Sequence, residues 1–362
     1  MRVAIDALPL LIRSAGVKNY LYYWIAYLQK LAGTDAIRTV PEMERGALRH
    51  EASIAGRWRT AQALGWRALA NYTPLPVLEG QTRGAGIFHA TNLARRPPRG
   101  PKLTATVYDM TCWLMPELHT RSNLKADAAF EALLRRADGL IAISRSTRND
   151  AVRALGLKPE KIAVIYPGIA AAFFEATPPA VEAVRARYGL RRPFILSVGT
   201  IEPRKNIDGL VRAYGALAAS TREEFELVLA GPMGWASGET AALVGSVRYL
   251  GYVPEEDLAP LTAAATVFAY PSFYEGFGLP VAQAMAAGVP VVTSNVSSLP
   301  EVVGEAALLV DPRSLAELRD GLEKLLGSEG LRREMAARGR ARAEGFRWEE
   351  CARRSWEFWR GV

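Results

Sequence analysis

At 362 residues, 49% apolar and 23% charged, the chain is too long for one ordinary core and suits two domains of roughly 170 residues each. No run approaches the roughly 18 uninterrupted apolar residues of a membrane span, and the opening MRVAIDALPLLI, broken by Asp6 and Pro9, reads as a first strand rather than a signal peptide. Two cysteines far apart, Cys112 and Cys351, exclude a disulfide framework or a cysteine-based zinc site and point to a reducing cytoplasm.

The net charge of +8 is uneven. The first 175 residues hold 24 Lys/Arg against 14 Asp/Glu, the remainder 21 against 23. The first half therefore suits an anionic partner, whether nucleic acid, an anionic lipid headgroup or a bacterial membrane surface, unless the arginines only reflect genome composition.

In chain order, RVAID predicts a strand and NYLYYWIAYLQKLAG a helix closed by Gly33. Residues 45–76 hold Arg45, Arg49, Arg57, Arg59, Arg67, Trp58 and Trp66 with few acids. They read either as a helical insertion with solvated arginines or as a docking surface for an acceptor bearing phosphate or lipid. GIFHATN, LTATVYD, GLIAISR and KIAVIYPG each predict a buried strand, with Ser144 or Ser146 capping the helix after the third. Strands alternating with helices imply a parallel sheet covered on both faces.

Residues 170–180, with Pro178 and Pro179 and no period, predict a linker. The alternation then restarts through FILSVGT, FELVLAGP, VRYLGYV, TVFAYPS, VPVVTSN and ALLVDP. The fold class expected is α/β, two Rossmann-like domains facing across a cleft, with ligands outside the carboxyl ends of the strands. The tail FRWEECARRSWEFWRGV is amphipathic and carries Trp348, Trp356 and Trp359. It reads as a helix packing back across the domains, or as an aromatic helix facing solvent or membrane.

Chemistry concentrates at two strand ends of the second half. In PSFYEGFGLPVAQAMAAGVPVV, Gly276 and Gly278 allow close backbone approach, and Pro280 suits a first helical turn. The free amides of that turn favour phosphate, and Glu275 beside them favours a hydroxyl-rich ligand. In GTIEPRKN, Arg204 and Lys205 follow a strand that ends near Gly199 and suit a diphosphate, unless they form a solvated pair with Glu202.

These segments, with LVLAGPMGW, VRYLGYVPEEDL and TSNVSSLPEVVGEAALLVDP, resemble the donor domain of the family-4 glycosyltransferases with the GT-B fold, over most of residues 190–345. RSAGVKNYLYYWIAYL, FHATN, VYDMTCWLMPE and ADGLIAISRSTRNDAVRALGLKPEKIAVIYPG resemble the same family more weakly. The resemblance implies an acceptor-side domain at 1–172, a donor domain at 173–346, and a last helix, 347–362, returning to the first.

It also implies a retaining, metal-independent transfer of a sugar from a nucleotide diphosphate. Arg204 and Lys205 would grip the diphosphate and Glu275 the transferred sugar. The amides of Gly276, Phe277, Gly278 and Leu279 would contact sugar and phosphate. Tyr252 and Val253 would border the base, and Gly16 would lie below the diphosphate. Two positions depart from the family pattern. Gln283 replaces a second glutamate eight residues after Glu275, where an amide can still accept from a ribose hydroxyl. Tyr108 precedes Asp109 where relatives carry histidine, and tyrosine does not titrate near neutral pH.

Of the three histidines, His50, His89 and His119, His89 in FHATN is expected on the acceptor side. Asp109 joins it there as the base or acceptor-orienting carboxylate, with Tyr108 beside it on the acceptor side. The expected reaction moves a hexose to a glycan or lipid-linked acceptor in cell-envelope or exopolysaccharide synthesis. The donor is GDP-mannose, with UDP-sugars the alternative, and no further cofactor and no nucleic acid is involved. The enzyme is expected in the cytoplasm, at the inner face of the membrane. The competing readings are a sugar-nucleotide 2-epimerase and a non-catalytic nucleotide-sugar-binding partner.

Overall fold

The computed structural model describes residues 1–13, 16–43, 46–48, 52–119, 121–235 and 238–362, with nothing said of the side chains at 122, 123 and 126. Arg45, Arg49 and His50 lie outside the described residues. The chain divides into two compact units, Met1–Gly168 with Arg347–Val362, and Ile169–Phe346.

Unit 1 is built on a six-stranded parallel sheet: β1 (Val3–Asp6), β2 (Ile37–Val40), β3 (Ile87–Ala90), β4 (Lys102–Val107), β5 (Gly139–Ala142) and β6 (Ile162–Val164), in the order β2-β1-β3-β4-β5-β6. β1, β3 and β5 are buried along their whole length, as an interior parallel strand covered on both faces must be. β2 escaped the sequence reading. It is a four-residue edge strand whose IRTV exposes Arg38, so it shows neither a long apolar run nor a clean alternation. Helix α1 (Gly16–Ala32) follows β1 and ends at Gly33, whose φ of +87° needs no Cβ. Helix α2 (Arg57–Tyr72) follows β2. The cap after β5 is Ser144, which accepts a hydrogen bond from the Thr147 amide at 2.9 Å.

The tail is a packed helix, Trp348–Gly361, lying against α1. Trp348 and Trp359 are 1% exposed, and Trp24 Nε1 donates to Ser355 Oγ at 2.9 Å. Trp24, His89 and Trp359 form an aromatic cluster with ring centroids 4.9–5.5 Å apart. The helix comes so close to Gly168 that a Cβ there would sit 2.3 Å from the Trp348 backbone nitrogen.

Unit 2 repeats the plan with β7 (Phe194–Val198), β8 (Glu226–Ala230), β9 (Arg248–Tyr249), β10 (Val267–Tyr270), β11 (Val291–Ser294) and β12 (Leu308–Val310). All pair in parallel, in the order β12-β11-β10-β7-β8-β9. Its core gathers Ile195, Leu227, Leu229, Val267 and Val292 against Leu210, Leu318 and Leu322 of the covering helices. Residues 170–180, expected as a periodless linker, are mostly ordered into this unit. A 3-10 turn at Ala171–Phe173 buries Phe173 and Phe174, and Pro178 and Pro179 open the helix Pro178–Tyr188. Prolines there start a helix rather than break one, because the first turn has no amide to lose.

Candidate active site

β7 and β10 are hydrogen-bonded neighbours running in the same direction, so the loops leaving their carboxyl ends emerge side by side. After β7 a 3-10 turn, Pro203–Lys205, presents the two cations. Asn206 follows in the left-handed region and caps the next helix, Ile207–Gly215, through the Gly209 amide. After β10 the chain runs through Ser272 and Glu275 to Gly278, the residue before the helix Leu279–Ala286. Gly278 has φ +95°, and a Cβ there would come within 2.6 Å of Leu299 Cδ2, so this turn admits no larger residue without strain.

The two loops lock together. Lys205 Nζ donates to Glu275 Oε1 at 2.6 Å and to the Tyr270 hydroxyl. Arg204 reaches Glu275 Oε2 at 3.0 Å, the Tyr274 carbonyl at 2.8 Å and Glu202 Oε1 at 2.6 Å. The Phe273 amide donates to the Arg204 carbonyl at 2.9 Å. From the other side, the Glu275 amide donates to Ser297 Oγ at 2.9 Å, and Ser298 Oγ donates to the Glu275 carbonyl at 2.8 Å. The pair with Glu202, which the sequence reading held open as a solvated one, is largely enclosed. The Arg204 side chain is 16% exposed and that of Glu202 8%.

Burial by itself would raise the Glu275 carboxyl. Arg204 and Lys205 outweigh it and hold the pKa at about 2. Lys205 is pulled below the ordinary lysine value, first by burial and then by Arg204, with Glu275 and Glu202 opposing. Tyr270 is pushed up by burial and by the Glu275 charge, so it stays a neutral hydroxyl beside the ammonium. The result is a small, enclosed cluster of two cations answered by two carboxylates, next to a helix that begins on a glycine. An incoming dianion would find both cations already oriented and would compete with carboxylates for them.

Of the other predicted donor residues, all but Gly16 lie in the same unit. Gly199 directly follows β7 with φ +157°, and Tyr252 and Val253 follow β9. Val253 is 3% exposed, so its side chain belongs to the core. Phe277 likewise turns inward, edge-on to Phe346 at 5.2 Å. Both can offer a ligand only backbone groups. Gly276 is buried, while Leu279 and Gln283 are half-buried on the helix.

In unit 1, Gly16 opens α1, and an added Cβ would meet nothing within 4 Å, so packing of the described residues does not call for glycine there. Asp109 leaves β4 half-buried and accepts from Thr111 N at 3.0 Å and Thr111 Oγ1 at 2.6 Å. Tyr108 turns its hydroxyl inward, with its ring edge-on to Tyr20 at 5.3 Å; burial, then Asp6, raises its pKa. The placement of His89 on the acceptor side is corrected. It lies within β3, fully buried, with Nδ1 and Nε2 each 2.9 Å from the hydroxyls of Thr104 and Thr106. Burial lowers its pKa to about 3, so it is a neutral core residue. His119 is half-buried in the loop after a 3-10 turn.

Comparison with known proteins bears directly on these two units. Residues 182–342 match the family described as Glycosyl transferases group 1, and residues 15–173 match Glycosyltransferase Family 4. An O-antigen chain mannosyltransferase B of Escherichia coli is 37% identical over 273 residues, covering 73% of this chain and 71% of that protein. This chain belongs to the GT-B glycosyltransferases. The serotype-specific mannosyltransferase WbdA of Escherichia coli is 31% identical over 227 residues, 60% of this chain but only 28% of that longer protein. Among solved structures, the Anabaena protein HepE in complex with UDP and glucose superposes over the full length of both chains with a TM-score of 0.74 at 20% identity, a likeness of fold.

Sequence reasoning passed over three residues that hold this cluster together: Tyr270 accepts from Lys205, and Ser297 and Ser298 hold the Glu275 backbone. Glu202, considered there only as a solvated partner, pairs with Arg204 inside the enclosed cluster. In unit 1, Asp6 is fully buried at the end of β1 and accepts from Arg67, Thr91 Oγ1 (2.6 Å) and the Leu8 amide (3.2 Å). Among the described residues no group of three or more His, Cys, Asp or Glu is arranged to hold a metal ion. Among the described residues no helix is long and apolar enough to cross a membrane.

Proposed function

We propose that this glycosyltransferase moves a hexose, mannose in the first instance, from a nucleotide diphosphate to a glycan or lipid-linked acceptor, with retention, in cell-envelope polysaccharide synthesis. The observation that carries the reading is the clamp of Arg204 and Lys205 on Glu275 beside the Gly278 turn. The similarity to mannosyltransferases of Escherichia coli supports mannose, and hence GDP-mannose, as the donor.

In this reading the donor pyrophosphate takes the two cations. Their charge, with the amides at the start of the helix Leu279–Ala286, stabilises the leaving diphosphate as the glycosidic bond breaks. Glu275, released from part of its pairing, accepts from hydroxyls of the sugar. Gln283 accepts from the ribose, and the backbone at Tyr252 and Val253 borders the base. The acceptor hydroxyl attacks from the face that the phosphate leaves, and a phosphate oxygen takes its proton, so no enzyme nucleophile is needed. Asp109 orients the acceptor. The protein works peripherally at the inner face of the membrane, where a lipid-linked acceptor is presented.

A thermal-shift series with GDP, UDP, ADP and dTDP sugars fixes the base; GDP-mannose should raise the melting temperature most. NMR of the product then reads the anomeric centre. An inverted product would sink the retaining mechanism. Isomerised UDP-sugar released without an acceptor would instead mark a 2-epimerase.

A further inference from the structure

Helix α2 has two sides that contradict the usual pattern of a surface helix. It buries Ala63, Arg67 and Ala70, and positions 58, 61, 65, 69 and 72 recur on the opposite side. That outward side carries Trp58, Ala61, Gly65, Leu69 and Tyr72 and no charge. Trp58 is 90% exposed, Tyr72 66% and Leu69 39%, and Leu75 just beyond the helix is 55% exposed. A solvated helix places its polar residues there.

The charge around this stripe is mostly positive. Residues 52–78 contain Arg57, Arg59 and Arg67 and no Asp or Glu, while Glu79 just beyond accepts from the Arg99 amide at 3.4 Å and Glu42 lines a cavity with Arg59 and Trp66. Arg67 is buried on Asp6, whereas Arg57 and Arg59 are exposed at the helix start. At the other end the loop ARRPPR is fastened to the helix. Asn71 Nδ2 donates to the Leu93 carbonyl at 3.0 Å, and the Arg95 amide donates to Asn71 Oδ1 at 3.0 Å. The Arg95 guanidinium lies 5.0 Å from the Tyr72 ring centroid, and Arg96 donates to the Thr73 carbonyl at 2.8 Å. Arg95, Arg96 and Arg99 are thus exposed beside the aromatic end of the stripe.

We propose that α2 and the loop Arg95–Arg99 form a docking face for an anionic lipid bilayer. Tryptophan and tyrosine on the stripe enter the headgroup boundary, where an apolar ring with a polar edge is favoured. The guanidiniums at both ends meet lipid phosphates, which their planar forks fit. A nucleic acid would leave the apolar stripe unused, and an apolar protein groove would leave the arginines unanswered. A bilayer with anionic headgroups satisfies both. The inference rests on the peripheral placement proposed above, not on the reaction.

The test is flotation of the full chain with vesicles of phosphatidylcholine alone and with one-third phosphatidylglycerol. The bound fraction should correspond to a partition coefficient about ten-fold higher or more on the anionic vesicles, falling as salt screens the charges. Two surface variants, W58Q/L69Q/Y72Q and R95Q/R96Q, should each lose about ten-fold in partitioning while melting like the parent and transferring to a water-soluble acceptor at the parental rate. Equal binding of the parent to neutral and anionic vesicles overturns the proposal, whatever the variants do. So does parental binding by either folded variant, or self-association that the triple variant abolishes, which would assign the face to a second copy. Loss of transfer to every acceptor, with anionic binding intact, would sink the reaction and leave this face standing.

Discussion

In the proposed reaction the donor chemistry turns on two single side chains, Lys205 and Arg204, which both point at one carboxylate in an enclosed site. Replacing either with alanine should lower kcat/KM for the nucleotide sugar by roughly 100-fold or more, and should also lower the melting temperature because a buried carboxylate loses a cation; steady-state kinetics with a fixed acceptor and a thermal melt check this. The same cluster makes acid stability legible. Glu275 titrates at about 2 in the folded chain against 4.5 without its surroundings. A depressed carboxyl contributes stability above the unfolded value and loses it as the pH falls toward the folded one, so unit 2 should weaken between 4.5 and about 2. His89 in unit 1, held neutral down to about 3 against 6.5, begins to cost stability earlier, as the unfolded chain takes up a proton below 6.5. Melting followed against pH should show this earlier onset reduced in H89Q and the later one in E275Q. The cation pair and Glu275 were legible in the sequence as a pattern of residue types after strands. Their mutual contact was not, since residues 70 apart meet only when β7 and β10 pair. His89 was misread for a related reason: a histidine near a strand end looks the same in sequence whether the next layer covers it or not.

Among the elements, the turn from β10 into the helix Leu279–Ala286 is the most constrained. Gly278→Ala should cost about 1–3 kcal/mol and lower donor affinity, because the left-handed φ and the Leu299 contact must both be relieved; denaturant melts and nucleotide titration measure the two effects. Most strands were legible from apolar runs ending in polar residues. β2 was not, because an edge position relaxes the demand for apolar side chains. The segment 170–180 misled in the opposite sense: its prolines looked like punctuation, yet they initiate a helix and its phenylalanines fill a core. For α2, the tryptophans and arginines were visible in the sequence, but which of them face outward depended on what the helix buries.

At the scale of the whole molecule, the chain completes unit 1 only with its last helix. Trp348, Trp359 and Ser355 fill the face of α1 that Trp24 presents. Removing residues 347–362 should therefore unfold unit 1 at a much lower temperature while leaving the melting of unit 2 nearly in place, since each lost tryptophan is worth about 3–5 kcal/mol of packing. Two calorimetric transitions, the first displaced, would bear this out; a uniform shift of both would count against it. By itself the sequence determined the α/β class, the doubled plan and the family, because periodicity, glycine turns and charged loop residues are local signals that survive without coordinates. The tertiary structure alone decided that Glu275 binds both cations, that His89 is core and that an apolar stripe of α2 faces outward. Each of these depends on which distant segment comes to lie beside a residue, and that is fixed by strand pairing and helix packing rather than by neighbours in the chain.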